Sequence, residues 1–302
     1  MKRGIALLIT LLFIISITFA IGLGLKYIKQ ASEATKKESF MIQTSLIVND
    51  VMQLLKDTKE IDLIVKEKSP EMLSMFLSQA EFIPFESSGI KMILELNSAR
   101  GKFNPNTLVD VNGTLNASVE EALKIYLSEK SINESYTDML VDMMSKVKQD
   151  MSYNTDIFNY KPNLFRDYIV SYKHLSEINE FYLQTYREKH INSIDFGKLF
   201  YFSKDRDYKI DLNYATPEVW QLLLGCEKLR AQELSSGAGS YTKVDELFLS
   251  DEEKRQLARF KSDYFQPIID VKVEIMQHDM SAKIYFEYNM KTKKGSNFSY
   301  EI

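Results

Sequence analysis

Residues 1–25 read MKRGIALLITLLFIISITFAIGLGL, and from Ile5 to Leu25 no residue carries a charge. A helix needs about 20 such residues to cross a bilayer core. Lys2 and Arg3 stand just before the stretch, Lys26 and Lys29 just after it. A secretory signal peptide has an apolar core of only about 7–15 residues and a small-residue cleavage site after it. Phe19-Ala20 is the one pair that imitates such a site, and the apolar run is too long for that reading. Basic residues on both flanks weaken the charge rule for orientation. The short leading end is expected to stay cytoplasmic and the bulk of the chain to be exported.

Working outward, residues 27–55 contain neither Pro nor Gly. Apolar residues recur at Ile28, Ala31, Ala34, Phe40, Ile42, Leu46, Val48, Val51, Met52 and Leu55, with a helical stripe from Phe40 onward. The pattern predicts one helix over 5–57, apolar and membrane-spanning over 5–25 and amphipathic afterwards. Its length is on the order of 75 Å at 1.5 Å per residue. Composition alone also allows a plain single-span anchor with a juxtamembrane helix.

Taken whole, the 302 residues have ordinary globular usage, 45% hydrophobic and 26% charged. A formal charge of −4 gives no general drive towards nucleic acid or anionic lipid. A single cysteine, Cys226, excludes an internal disulfide framework. Ile61–Val65 and Ile90–Leu96 read as short strands, with a helix opened by Pro70 between them. Near the carboxyl end Val271, Val273 and Ile275 alternate with polar or flexible neighbours, as do Ile284, Phe286 and Tyr288. Gln277–Met280 reads as the turn between two strands, and 298–302 as a further strand. Between Gly101 and Pro267 the pattern is helical. Ser118-Val119-Glu120-Glu121 reads as a capping box, Ser135–Val147 and Leu175–Tyr186 as helices, Thr216-Pro217-Glu218 as a helix start, and Asp251–Phe260 as a last helix.

Met1-Lys2-Arg3-Gly4, followed at once by Ile5-Ala6-Leu7-Leu8, resembles a type IV pilin-like prepilin leader (residues 1–4). That resemblance implies cleavage by prepilin peptidase between Gly4 and Ile5. The cut would remove Lys2 and Arg3 from a helix that must leave the bilayer, where a held charge costs several kcal/mol. Most of the superfamily carries glutamate at the fifth mature position; here it is Ile9, as in the K-type minor pseudopilins of type II secretion. Gly101–Val109 (GKFNPNTLV), Ile210–Val219 (IDLNYATPEV) and Ser240–Leu247 (SYTKVDEL) resemble three segments of the general secretion pathway protein K family, in the family's order. The first has Pro105 where the family usually has leucine.

The resemblance implies an α+β, pilin-like fold. A long N-terminal helix packs on a small antiparallel sheet, with the frame at 58–100 and 267–302 and a large α-helical insert at 101–266. It also implies a single-pass inner-membrane protein with its bulk in the periplasm. Its partners would be I- and J-type minor pseudopilins in a pseudopilus, which it would start or cap at the tip, and it would not be an enzyme.

Segment 210–262 also resembles a helix-hairpin-helix, and a membrane-anchored DNA-binding protein of the competence type is the alternative. Its hairpin, Leu224-Gly225-Cys226-Glu227-Lys228, places an acid where phosphate would approach. The surrounding 209–261 stretch has no basic footprint, so no nucleic acid partner is expected. Asp110-Val111-Asn112-Gly113 looks like the start of a calcium loop, but the later ligands do not follow and an Asn-Gly turn explains it. Asp110 and Asn112 are thus a weak calcium candidate, and no other cofactor is expected. His174, His190 and His278 have no metal-ligand spacing and are expected at the surface; Cys226 is expected as a small buried residue.

Overall fold

The computed structural model describes residues 33–80, 82–87, 89–237 and 239–301. Residues 33–57 form helix α1. Phe40, Thr44, Val48, Val51 and Leu55 recur every three or four positions and are all buried, so one stripe of α1 faces a core. Two short helices follow, α2 (Lys59–Glu67) and α3 (Pro70–Gln79). The strand expected at Ile61–Val65 is therefore a helix. Its β-branched residues suggested a strand, but Ile61 and Ile64, three apart, are the pair that is buried. α3 starts as expected, with Pro70 in its first turn and the Ser69 hydroxyl accepting from Met72 N at 3.2 Å.

Strands β1 (Ile83–Ser87) and β2 (Ile90–Ser98) form a hairpin. The chain then leaves the sheet for a helical unit. There α4 (Ala117–Ser128), α5 (Ser135–Met143), α6 (Ile157–Tyr160), α7 (Tyr172–Tyr186) and α8 (Phe196–Leu199) precede β3 (Ile210–Asp211). They are followed by α9 (Pro217–Leu224), α10 (Lys228–Ser235), α11 (Asp251–Leu257) and β4 (Ser262–Asp263), which pairs in parallel with β3. Two expected ends move: the helix from Ser135 stops at Met143, leaving Val147 exposed, and the last helix stops at Leu257. The expected capping box at Ser118 is also replaced. Asn116 is the N-cap, and Ser118, already inside α4, donates its hydroxyl to Asn116 Oδ1 at 2.9 Å.

Strands β5 (Ile268–Gln277), β6 (Met280–Asn289) and β7 (Lys294–Glu301) complete an antiparallel sheet of order β1-β2-β5-β6-β7. Its alternation gives Ile269, Val271, Val273 and Ile275 on β5, and Ala282, Ile284, Phe286 and Tyr288 on β6, to one buried face. These residues share a core with Phe40, Val48, Val51 and Leu55 of α1 and with the buried side of α2 and α3. A second core, running from Phe103 to Phe260, fills the helical unit around Trp220, Tyr136 and Tyr182. The molecule is thus α+β, with an antiparallel sheet under a helix. Among the described residues no helix is long and apolar enough to cross a membrane. The span expected at 5–25 lies outside them.

Candidate assembly interface

α1 carries apolar residues on more than one side. At 100° per residue, Ile42 and Leu46 lie roughly 160° and 200° from the centre of the buried stripe. Both are 57% exposed, and Met41 and Leu54 stand exposed on the flanks. Ser45, Asn49 and Gln53 share this outer side. Covering Ile42 and Leu46 would stabilise a contact by about 1 kcal/mol each. The inner side is already committed. Lys293, in the turn before β7, donates to Lys56 O at 2.8 Å and pairs with Asp62 at 2.6 Å. A cation at those last helical carbonyls suits the helix dipole. Reading the sequence as one apolar list merged the two sides; the angular positions of Ile42 and Leu46 were the signal that separates them.

The three motif segments at 101–109, 210–219 and 240–247 interlock in space. A Cβ on Gly101 would lie 2.2 Å from Tyr214 O, so only glycine permits this approach. Gly101 O accepts from Thr216 N at 3.2 Å, and Arg100 O from Asp211 N at 2.8 Å. Asn104 and Asn106 are fully buried. Asn104 Nδ2 donates to Ser203 O and Asp205 O at 2.9 and 3.0 Å. Asn106 Nδ2 donates to Ile169 O and Ser203 O, both at 3.0 Å, while its Oδ1 accepts from Ile169 N at 2.7 Å. Asn213 Nδ2 donates to Tyr241 O and Tyr264 O at 2.8 Å each, and its Oδ1 accepts from Tyr241 N at 2.9 Å. Each amide closes backbone groups of loops that have no ladder partner. Asp211 accepts from Asn213 N and Gln266 N, and burial pushes its carboxyl up to about 7. The motifs are therefore scaffolding, and the arrangement presents no nucleophile beside a base.

Where the helical unit meets the sheet lies a buried polar junction. Arg100 and Glu287 of β6, each 4% exposed, pair at 3.0 Å. The guanidinium sits 4.5 Å from the Tyr208 ring centroid and also donates to Ala99 O. Tyr201 donates to Asp270 of β5 at 2.7 Å, and burial raises that carboxyl to about 6. None of these groups was singled out from the sequence; their partners come from positions roughly 70–190 apart in the chain.

Gly4, Ile5 and Ile9 lie outside the described residues. Asp110 Oδ1 accepts from Asn112 N and Thr114 N at 2.8 Å each, which holds the carboxyl below its usual range. Asp110 O accepts from Arg206, so a guanidinium stands beside this loop, and Gly113 turns at φ +86°. Among the described residues no three His, Cys, Asp or Glu side chains gather as metal ligands. The helix hairpin at α9–α10 forms, turning at Gly225 with φ +62°. His190 and His278 are exposed as expected, but His174 is buried and accepts from Val170 N at 3.3 Å. Cys226 is half-buried, with its thiol 3.7 Å from Trp220 O.

A helix laid on an antiparallel sheet, with a second, helical core inserted between the neighbouring strands β2 and β5, defines a distinctive architecture. It is shared with a chain of the GspK–GspI–GspJ complex from the type 2 secretion system of enterotoxigenic Escherichia coli. The TM-score is 0.56 at 12% identity, covering 88% of this chain and 99% of that chain. At this identity the likeness establishes a common fold. No protein-family model matches the sequence, and no curated protein matches it.

Proposed function

We propose that this chain is a K-type minor pseudopilin of a type II secretion system. Its role is assembly, with no reaction to catalyse. After cleavage between Gly4 and Ile5, the first helix leaves the inner membrane and packs against those of I- and J-type siblings. The bulk of the chain lies in the periplasm, and the helical unit suits the tip of a short filament, where no subunit sits above it. The observation that carries this reading is the outer side of α1, where Ile42 and Leu46 stand uncovered opposite the sheet. The fold shared with a chain of a three-component secretion complex supports it. Mass spectrometry of the mature amino terminus tests it, in cells with active prepilin peptidase, together with co-purification of sibling subunits. Ile5 as first residue and a heteromeric complex are expected. An intact Met1 or Lys2, or a chain that never joins siblings, overturns the reading.

A further inference from the structure

A groove of about 820 Å³ runs across the helical unit, separate from α1. Its upper walls are aliphatic and open: Val111 is 75% exposed, Val147 73% and Leu115 39%. Its floor is the buried Val109, Val141 and Met144. Three lysines stand around it. Lys146, Lys148 and Lys204 form no ion pair among the described residues. Lys148 donates to Ser152 O at 2.8 Å, and Lys204 lies 5.3 Å from the Tyr168 ring centroid. The fourth cation, Arg206, is held in the wall by Asp110 O at 2.8 Å and Asp167 O at 2.5 Å. The lining has two carboxylates, Asp167 and Asp205, against these four cations. Asp167 lies 3.4 Å from Arg206, and Asp142 and Asp150, outside the lining, act on Lys148, so Lys146 and Lys204 are the cations left to a partner, with Asp205 beside them. The groove lining is thus net basic and apolar-walled, on a chain of net charge −4.

We propose that this groove docks an acidic, partly apolar peptide segment of another protein. Charge complementarity selects the acid: a rim whose cations outnumber its carboxylates attracts and orients a negative partner. The open valines select apolar side chains in the same segment, because covering them removes apolar surface from water. A nucleic acid fits less well. Its bases stack on aromatic faces, and the lining offers a single aromatic ring, Tyr168, with Lys204 over one of its faces. The surface owes nothing to helix stacking, so this proposal and the filament reading can fail separately.

Fluorescence anisotropy on the full chain in detergent provides the test. The probe is a fluorescein-labelled short peptide alternating glutamate with valine and leucine. Its lysine counterpart, an apolar-free polyglutamate peptide and a short single-stranded DNA serve as comparisons. The acidic apolar peptide is expected to bind most tightly and to weaken as salt rises. Lys146→Glu/Lys148→Glu/Lys204→Glu should weaken it at least about tenfold, and Val147→Asp about fivefold or more. These side chains lie at the surface, and an unchanged circular-dichroism melt confirms folding; Val147→Asp alone keeps the test decisive if the triple variant misfolds. No anisotropy change with the acidic apolar peptide overturns the proposal. So does affinity that survives Val147→Asp, equal affinity for polyglutamate, or tighter binding of the DNA.

Discussion

Replacing Arg100 by Met should be among the costliest single changes in the molecule. The guanidinium is 4% exposed and bonds Glu287 at 3.0 Å, Ala99 O at 3.1 Å and the face of Tyr208. Without it, Glu287 stays buried as a carboxylate with Asn297, at 2.6 Å, as its remaining hydrogen-bond donor. Breaking a buried pair from one side costs about 3–5 kcal/mol, because the orphaned charge remains desolvated. Unfolding entropy near 2.1 cal/mol/K per residue converts this to a Tm lower by roughly 5–8 °C, if the chain unfolds as a whole. Arg100→Met combined with Glu287→Leu removes both charges and should recover most of the loss. Thermal and urea unfolding followed by circular dichroism would measure all four corners of the cycle. A single-variant cost under about 1 kcal/mol, or a double variant as unstable as the two singles added together, would refute the reasoning.

Other consequences are as open to measurement. Asp211 and Asp270 titrate near 7 and 6 when folded, above the ordinary 3.8, so the native state binds their protons more tightly than the unfolded chain. Their stabilising contribution is full below about pH 4 and is lost as pH rises through about 6 and 7; Tm measured across this range should fall, and Asp211→Asn should flatten the fall. Asn213→Ala orphans three backbone groups in the interior and should cost roughly 2–4 kcal/mol in urea unfolding; less than 1 would count against the interlocked segments. Gly101→Ala drives a Cβ into the Tyr214 carbonyl and should cost about 2 kcal/mol or more, whereas an unchanged urea midpoint would contradict the close approach. Ile42→Asp with Leu46→Asp should leave the melt within about 1 °C while abolishing co-purification with sibling subunits, since exposed sites rarely affect stability by much.

What could be read in advance follows the range of the interactions. β5 and β6 were legible because a period of two sorts Val271, Val273, Ile275, Ile284, Phe286 and Tyr288 to one face. β1 was not, because an edge strand with Pro84 and four exposed residues shows no alternation. α2 was misread because β-branched composition was weighed above the three-residue spacing of Ile61 and Ile64. Local chemistry placed α3 and α9 well, through Pro70 and Thr216-Pro217, yet failed at Ser118, where Asn116 two residues earlier is the N-cap. The short α6 and α8 have four residues each, too few for a periodic signal. The buried amides were visible only as parts of a resemblance. Asn104 finds its carbonyls about a hundred residues away, and only the folded chain brings them together.

The chain departs into the helical unit at Ala99 and returns at Ile268, and these two residues are themselves joined, Ala99 N to Ile268 O at 3.0 Å. Ser98 and Ile269 are register partners in the sheet. Seen as a mechanical circuit, the unit is a closed side loop. Tension drawn along α1 passes through shared side-chain packing into β5 and β6 and is carried across the sheet in shear, without threading through residues 100–267. The unit is fastened beside that path, at the Ala99–Ile268 clasp and again through the Arg100–Glu287 and Tyr201–Asp270 pairs, so it moves with the sheet without being a link in the line of pull.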